Sequence, residues 1–566
     1  MSLPVSYMPL LDKLKNGPFG FVYRLRINNI VVTVLVAIAL LEAYAIFQSA
    51  DFGVLPHVPM LSSYKTAEIP AALTAYKQSQ TAGTVKCSDI PIISNYWKLQ
   101  ASETPAFIAI PHKGPVQIGG TVCVRVVVPA KLHAQPMLFM PFPNTPWDSI
   151  LLDLVGNKTG VSVPVELVLT NDVQNYDRNS VHVYEADVLL RDADTYHPSG
   201  YIEFRDALWN PDGYSDPQPF VPEPLAIPGN LTVKVLDGDE ENPYALSKHL
   251  DLPLCTKSDS DGRWVSVNDL PFDASRVLPP DNHNRVWLPY SCRLKPISYA
   301  DFSRCLVDKY PLIHWFGDSN TRRALKKVTS LGKWCSTKPD INSLTCLCND
   351  NMEQYSRYNS NMRIAPIDMD PINGGVAAHV KNGFYGEVVS NKSRIVAFKW
   401  DGLTSFNQPA WSHSFDMGMQ SHMGKPTVAI FGLTNWDTAF STRSFFASEV
   451  DRLVRLVENE YSDSTHIVIR TGQYYCCTSD KDMHWKRRYS RLRNRYFDKY
   501  LIESFKGRLG GRRAVSVWDV TSVSERRPYV ARDEINSCPA NHVRSEIVEI
   551  ENQLLINSMC NSFLSN

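Results

Sequence analysis

The chain has 566 residues, enough for about three or four folded units, or fewer if one is a large α/β domain. Lys plus Arg number 58 and Asp plus Glu number 58, so the formal net charge is zero, which argues against a generic nucleic-acid binder. Charged residues are 20% and the hydrophobic set 44%, which argues against wholesale disorder; one stretch alone is apolar enough to span a bilayer, so a multispan membrane protein is excluded.

That stretch comes first along the chain. Ile27 to Leu41 carry no charge, and Ala43 to Phe47 extend the run beyond Glu42 to about 20 residues. Glu42 falls near one end, where its cost is smallest. Lys13, Lys15, Arg24 and Arg26 precede the run, so the positive-inside bias keeps residues 1–26 cytoplasmic. We read 27–48 as a type II signal anchor; the alternative is a cleaved signal peptide, with Ala43-Tyr44-Ala45 as its site. Either way the rest of the chain enters a secretory lumen or leaves the cell. The 12 cysteines all follow the run, as disulfide chemistry in an oxidising compartment requires. Sequons at Asn157, Asn230 and Asn391 agree with that compartment.

Residues 49–84, poor in charge and containing Pro, Ser and Ala, read as a stem. From 85 to 240 the texture is β. Val122 to Val128, Ser162 to Leu169, Val181 to Leu190 and Leu231 to Val235 are short, Val-rich runs broken by Pro, Gly and Asn, which predicts a β-sandwich. Cys87 and Cys123 fall where a bridge within or across its sheets would form. Residues 241–307 are a connecting region, with Cys255, Cys292 and Cys305 expected to tie it down.

From 308 to 566 strands alternate with helices. Strand-length apolar runs occur at Leu312–Phe316, Ile395–Trp400, Thr427–Leu433, His466–Arg470 and Ala514–Trp518. Phe446, Val450, Leu453 and Val457 mark one face of a helix, and Ile547, Ile550, Leu554 and Asn557 outline a last one. This predicts a doubly wound α/β domain with a mostly parallel sheet, whose sites lie at the carboxyl ends of strands.

Trp315-Phe316-Gly317-Asp318-Ser319-Asn320-Thr321-Arg322-Arg323 is the most informative segment. A strand ends at Gly317, and a helix follows with Ala324, Leu325, Val328 and Leu331 on one face. Ser319 then sits at a helix N-terminus, where backbone N–H groups can stabilise an oxyanion. The plain reading is an N-cap Ser beside a turn Asp. A serine nucleophile needs a base, and His542, just before the last helix, is the candidate. The orienting acid is Asp533, with Glu534 or Asp519 as alternatives. Gly432 and Asn435, after another strand, would join the Ser319 N–H as oxyanion donors.

These segments resemble the PC-esterase branch of the SGNH/GDSL hydrolase superfamily. The likeness is greatest to the NXPE (neurexophilin and PC-esterase domain) family, and more distant to plant trichome-birefringence-like sugar acetyltransferases. It is carried by Phe316 to Arg323, by Cys255 to Trp264 with Cys292 and Cys305, by Ile430-Phe431-Gly432-Leu433, by Val517 to Thr521 and by Asn541-His542-Val543, over about residues 250–565. The resemblance implies an SGNH-like fold behind an immunoglobulin/filamin-like sandwich. It also implies a Ser-Asp-His triad containing Ser319 and His542, and sugar O-acetyl chemistry in the Golgi lumen, in some relatives on sialic acids. Pro539 stands where the D-x-x-H pattern has its acid. Either Asp533 reaches in, or a Ser-His dyad works with a backbone carbonyl, or the site is impaired.

Residues 484–508 read as an amphipathic helix with a solvated basic face; the sharper alternative makes Arg487, Arg488 and Arg491 an anion site for a sialylated glycan or an acyl-CoA. His413, Asp416 and His422 match no ligand pattern, so no metal is expected. Three functions follow: a lumenal glycan O-acetyltransferase with no bound cofactor, whose donor the sequence does not give and for which acetyl-CoA is a candidate; an O-acetyl esterase with the same site; and a non-catalytic binding or adhesion protein at the surface or secreted.

Overall fold

The computed structural model describes residues 84–563 apart from 100–103, 112–113, 130–147, 171–180, 205–222, 238–241, 259–260, 330, 333–362, 366–383, 391, 400–401, 404–423, 475–489, 528–542 and 544. The anchor segment 27–48 lies outside them. Among the described residues no helix is long and apolar enough to cross a membrane.

The first layer contains β1 (Phe107–Ala109), β2 (Val116–Gln117), β3 (Gly120–Val128), β4 (Ser149–Gly156), β5 (Ser162–Pro164), β6 (Val168–Leu169), β7 (His182–Leu190), β8 (Thr195–Phe204), β9 (Glu223–Pro224) and β10 (Val233–Leu236). They form two sheets, β1-β3-β7-β6 and β2-β10-β8-β4-β5, with β9 beside β8. Alternation explains the packing. Val122, Val124, Val126 and Val128 share a core with Ala186 and Val188 of β7 and Leu152 and Leu154 of β4. Cys123 and Val127 pack instead against residues of the segment 85–99. With both faces covered, β3 reads as an almost unbroken apolar run. The expected strand Ser162–Leu169 is two strands in different sheets, divided after Pro164.

A two-stranded ribbon, β11 (Gly262–Ser266) and β12 (Arg285–Pro289), lies within the connecting region. Its Trp264 and Trp287 are buried in the α/β core, and Trp264 Nε1 donates to the Val523 carbonyl at 2.9 Å. Among the described residues every cysteine is bridged: Cys87–Cys123, Cys255–Cys292 and Cys305–Cys560. The connecting region is thus tied down at all three of its cysteines, as expected, though Cys305 reaches outside it. Cys305 joins α1 (Tyr299–Lys309) to the last helix.

The α/β layer continues with β13 (Leu312–Gly317), α2 (Ser319–Thr329), β14 (Arg363–Ala365), β15 (Phe384–Val389), β16 (Arg394–Lys399), β17 (Val428–Gly432), α3 (Thr434–Phe440), α4 (Arg443–Glu460), β18 (His466–Arg470), α5 (Arg491–Leu509), β19 (Val515–Trp518), α6 (Val520–Glu525) and α7 (Ser545–Cys560). The sheet order is β14-β15-β16-β13-β17-β18-β19. β16, β13, β17, β18 and β19 are parallel; β15 and β14 run antiparallel at one edge. Numbered along the chain, the parallel strands lie in the order 2-1-3-4-5. Ile313, Trp315, Ile430 and Val468 pack with α1, α2, α6 and α7; Leu312, Phe316, Phe431 and Ile469 pack with α4 and α5. Phe446, Val450, Leu453 and Val457 are all buried on α4. The sheet is doubly wound as expected, and its strand order reverses between β13 and β17.

Candidate active site

The carboxyl ends of β13 and β17 are paired in register, Gly317 beside Gly432. A Cβ on Gly317 would meet Thr321 Oγ1 at 2.3 Å and the Gly432 carbonyl oxygen at 2.8 Å; one on Gly432 would meet Thr321 Oγ1 at 2.4 Å. Two glycines are thus the space into which the first turn of α2 settles. Asp318 caps that helix, its Oδ1 accepting from the backbone N–H of Asn320 (2.9 Å) and Thr321 (3.2 Å). The N-cap Ser beside a turn Asp, the bland alternative to a nucleophile, is not what forms. Asp318 takes the capping task, and Ser319 is the first helical residue. Asp318 and Asn320 are each 3% exposed and Thr321 is 0%, while Ser319 is half-buried. Within the motif, Ser319 is the member that reaches toward the surface at the switch point.

Residues after β17 and β18 are laced together. The Asn435 amide donates through Nδ2 to the Gln473 carbonyl (2.8 Å) and accepts through Oδ1 from the Gln473 N–H (3.0 Å). Asn435 thus braces this loop with both atoms of its amide. Asp498, buried on α5, reaches three loops at once. It accepts from Thr434 Oγ1 (2.5 Å) after β17 and from the Gly472 N–H (2.9 and 3.1 Å) after β18, and it lies 3.2 Å from Thr521 Oγ1 after β19. Thr521 Oγ1 has one hydrogen and is 2.6 Å from the Gly472 carbonyl, which can only accept. The proton goes there, so the contact between Thr521 and Asp498 is best satisfied when Asp498 is protonated. Burial, together with the nearby Asp519 charge, accords with this: it pushes the Asp498 carboxyl up to about 7 against the hydrogen bonds it accepts.

Sequence reasoning missed Asp498, because an acid inside an Arg-rich helix reads as a surface ion-pair partner. A signal existed: Asn494, Asp498, Leu501 and Phe505 recur at i, i+4, i+7 and i+11, and all are buried.

Below the loops, Glu551 of α7 accepts from Arg470 Nη2 (2.9 Å) and from Gln473 Nε2 (2.7 and 2.8 Å). Burial raises the Glu551 carboxyl, opposed first by the Arg470 guanidinium. These bonds place the middle of α7 at the carboxyl end of β18. Its last turn is at the other edge, where Tyr310, just before β13, donates to the Met559 carbonyl at 3.0 Å. So α7 runs from the carboxyl edge to the amino edge, and Ser545 begins it about 9 Å beyond Glu551 on the carboxyl side.

His542, Asp533, Glu534, Arg487 and Arg488 lie outside the described residues, as does Asn391. Asn157 and Asn230 are exposed. Asp519 is the N-cap of α6, bonded to the Ser522 N–H (3.0 Å) and hydroxyl (2.5 Å). It follows β19, three strands from β13, about 14 Å at the usual interstrand spacing. Arg491 differs from expectation: it is 4% exposed, and its guanidinium lies against Asp153 (3.2 Å) and Glu525 (3.4 Å). Arg493 is likewise buried, donating to the Thr438 and Ser441 carbonyls. The start of α5 is therefore not a solvated basic face, and Arg491 is spent within the fold instead of being offered to an external anion.

No family model matches the chain, and no curated protein matches it.

Proposed function

We propose that the chain is an SGNH-type glycan O-acetyltransferase of the PC-esterase, NXPE-like kind, in which Ser319 carries the acetyl group. The observation that supports this most is the position of Gly317-Asp318-Ser319. The motif ends the first parallel strand of a 2-1-3-4-5 sheet, beside Gly432 and Asn435 at the end of the third. Ligands of such sheets bind at this reversal.

His542 would take the Ser319 Oγ proton as Oγ attacks the acetyl thioester carbon. The Ser319 N–H, the Gly432 N–H and the Asn435 side chain would hold the oxyanion. The thiol leaves with the proton from His542, and an acetyl ester remains on Ser319. A sugar hydroxyl then attacks, giving its proton to His542, which returns it to Ser319 Oγ. The direction of α7 favours His542 as base, because the helix it precedes starts on the Ser319 side of the sheet. Asp533, or no acid at all, would complete the site, since Asp519 is committed to its cap. The three disulfides favour an oxidising lumen, which in this reading is the Golgi, with 27–48 as anchor.

The test compares the purified lumenal segment with its Ser319→Ala variant. Each is incubated with acetyl-CoA and a sialylated glycan, and separately with an O-acetylated glycan, and the products are weighed by mass spectrometry. We expect acetyl gain by the unmodified protein alone, with a loss of at least about 10³-fold in the variant. Acetyl loss in place of gain would make it an esterase. No change in either assay, with Ser319 also inert to a fluorophosphonate, would sink both and favour adhesion.

A further inference from the structure

The sandwich is joined to the α/β layer by a buried carboxylate. Glu203, on β8, is 7% exposed. It accepts from Ser149 Oγ of β4 (2.8 Å), from the Arg491 N–H at the start of α5 (3.0 Å) and from the Tyr474 hydroxyl (3.1 Å). Tyr474 follows Gln473, whose backbone is held by Asn435 and whose side chain is held by Glu551. The Tyr474 ring packs with Leu151 and Tyr201 of the sandwich. On the other side of the same loop, Gly472 is gripped by Asp498 and Asn494 of α5, the helix whose first N–H Glu203 receives. Arg491 then ties α5 back to the Leu152 carbonyl and Asp153 of β4. The loop 471–474 is therefore held from below by the α/β layer and from the side by the sandwich.

We infer that Glu203 is a positioning residue for the candidate active site, acting through Tyr474 on the 471–474 loop that braces Asn435. The sandwich is then a wall of the site's support, with the β4–β8 face consumed by this contact, and not a tethered spacer. The link from loop to chemistry rests on the Ser319 reading proposed above; the link from Glu203 to loop does not.

Two measurements separate these links. The first is amide hydrogen exchange over 471–474; the second is the rate at which a fluorophosphonate labels Ser319. Tyr474→Phe keeps the ring and its packing and removes one hydrogen bond. We expect exchange in 471–474 to speed up about fivefold, with β17 and β18 unchanged. Glu203→Ala should loosen the same loop more than tenfold. Glu203→Gln should restore it, because an amide can accept from Ser149 and Arg491 with its oxygen and donate to Tyr474 with its nitrogen. Labelling of Ser319 should slow in the same order. Unchanged exchange in both Tyr474→Phe and Glu203→Ala would overturn the inference, as would loosened loops with Ser319 labelling unaltered. Absence of labelling in the unmodified protein would instead sink the serine reading, and the exchange data would still decide whether Glu203 holds the loop.

Discussion

Asp498 shows how much one side chain can decide. A single carboxyl gathers Thr434, Gly472 and Thr521, so three loops from three strands keep one geometry. Its ordinary value is 3.8, and burial raises it to about 7 in the fold. Between those values the folded state holds a proton that the unfolded chain releases. The associated stability is therefore full below about pH 4 and is lost as pH rises through 7. Relative to Asp498→Asn, the unmodified protein should lose up to about 1.4 kcal/mol per pH unit across that window and level off above it. Urea denaturation of both proteins at steps between about pH 5 and 8 checks this. Parallel curves would mean the carboxyl titrates alike in both states.

At the scale of elements, the seat of α2 on the sheet depends on absent side chains. A methyl on Gly432 meets only Thr321 Oγ1 within 3 Å, whereas one on Gly317 also meets Thr321 Cβ and the Gly432 carbonyl. Gly432→Ala should therefore destabilise by about 1–3 kcal/mol, and Thr321→Ala should rescue it with a coupling of at least about 1 kcal/mol. Gly317→Ala should resist that rescue, because backbone cannot step aside. Additive effects in the Gly432 cycle, measured by chemical denaturation, would show that α2 is seated some other way. The strand-to-helix change at Gly317 was legible in the chain, since apolar runs and helical spacing are local properties. The choice of Asp318 over Ser319 as cap was not, because both residue types cap well and the decision lies in which one tertiary contacts bury.

At the scale of the whole molecule, Cys305–Cys560 spans 255 residues and encloses nearly all of the α/β layer. Chain-entropy reasoning assigns so long a loop up to about 5 kcal/mol. Replacing both cysteines with Ser should lower the Tm and leave Cys87–Cys123 and Cys255–Cys292 intact by peptide mapping. An unchanged Tm would show that α1 and α7 hold together by packing alone. Near the other end of the described chain, Arg125 pins the 85–99 segment to the sandwich by donating to the Cys87 and Pro91 carbonyls, while Glu185 of the neighbouring strand holds its guanidinium.

Composition and periodicity by themselves determined the order of layers, a β-rich region before an alternating α/β region. They also placed every parallel strand to within a residue or two: His466–Arg470 was read as it stands, and Ala514–Trp518 became Val515–Trp518. Such patterns survive because each strand must show apolar faces to whatever covers it. Only the tertiary structure decided which strands lie side by side, and hence that Gly317 meets Gly432. It also decided that Cys305 reaches Cys560, that Arg491 turns inward, and that Asp498 and Glu203 are buried. Those pairings join residues far apart in sequence, and a charged residue looks the same in the chain whether its partner is water or a distant buried donor.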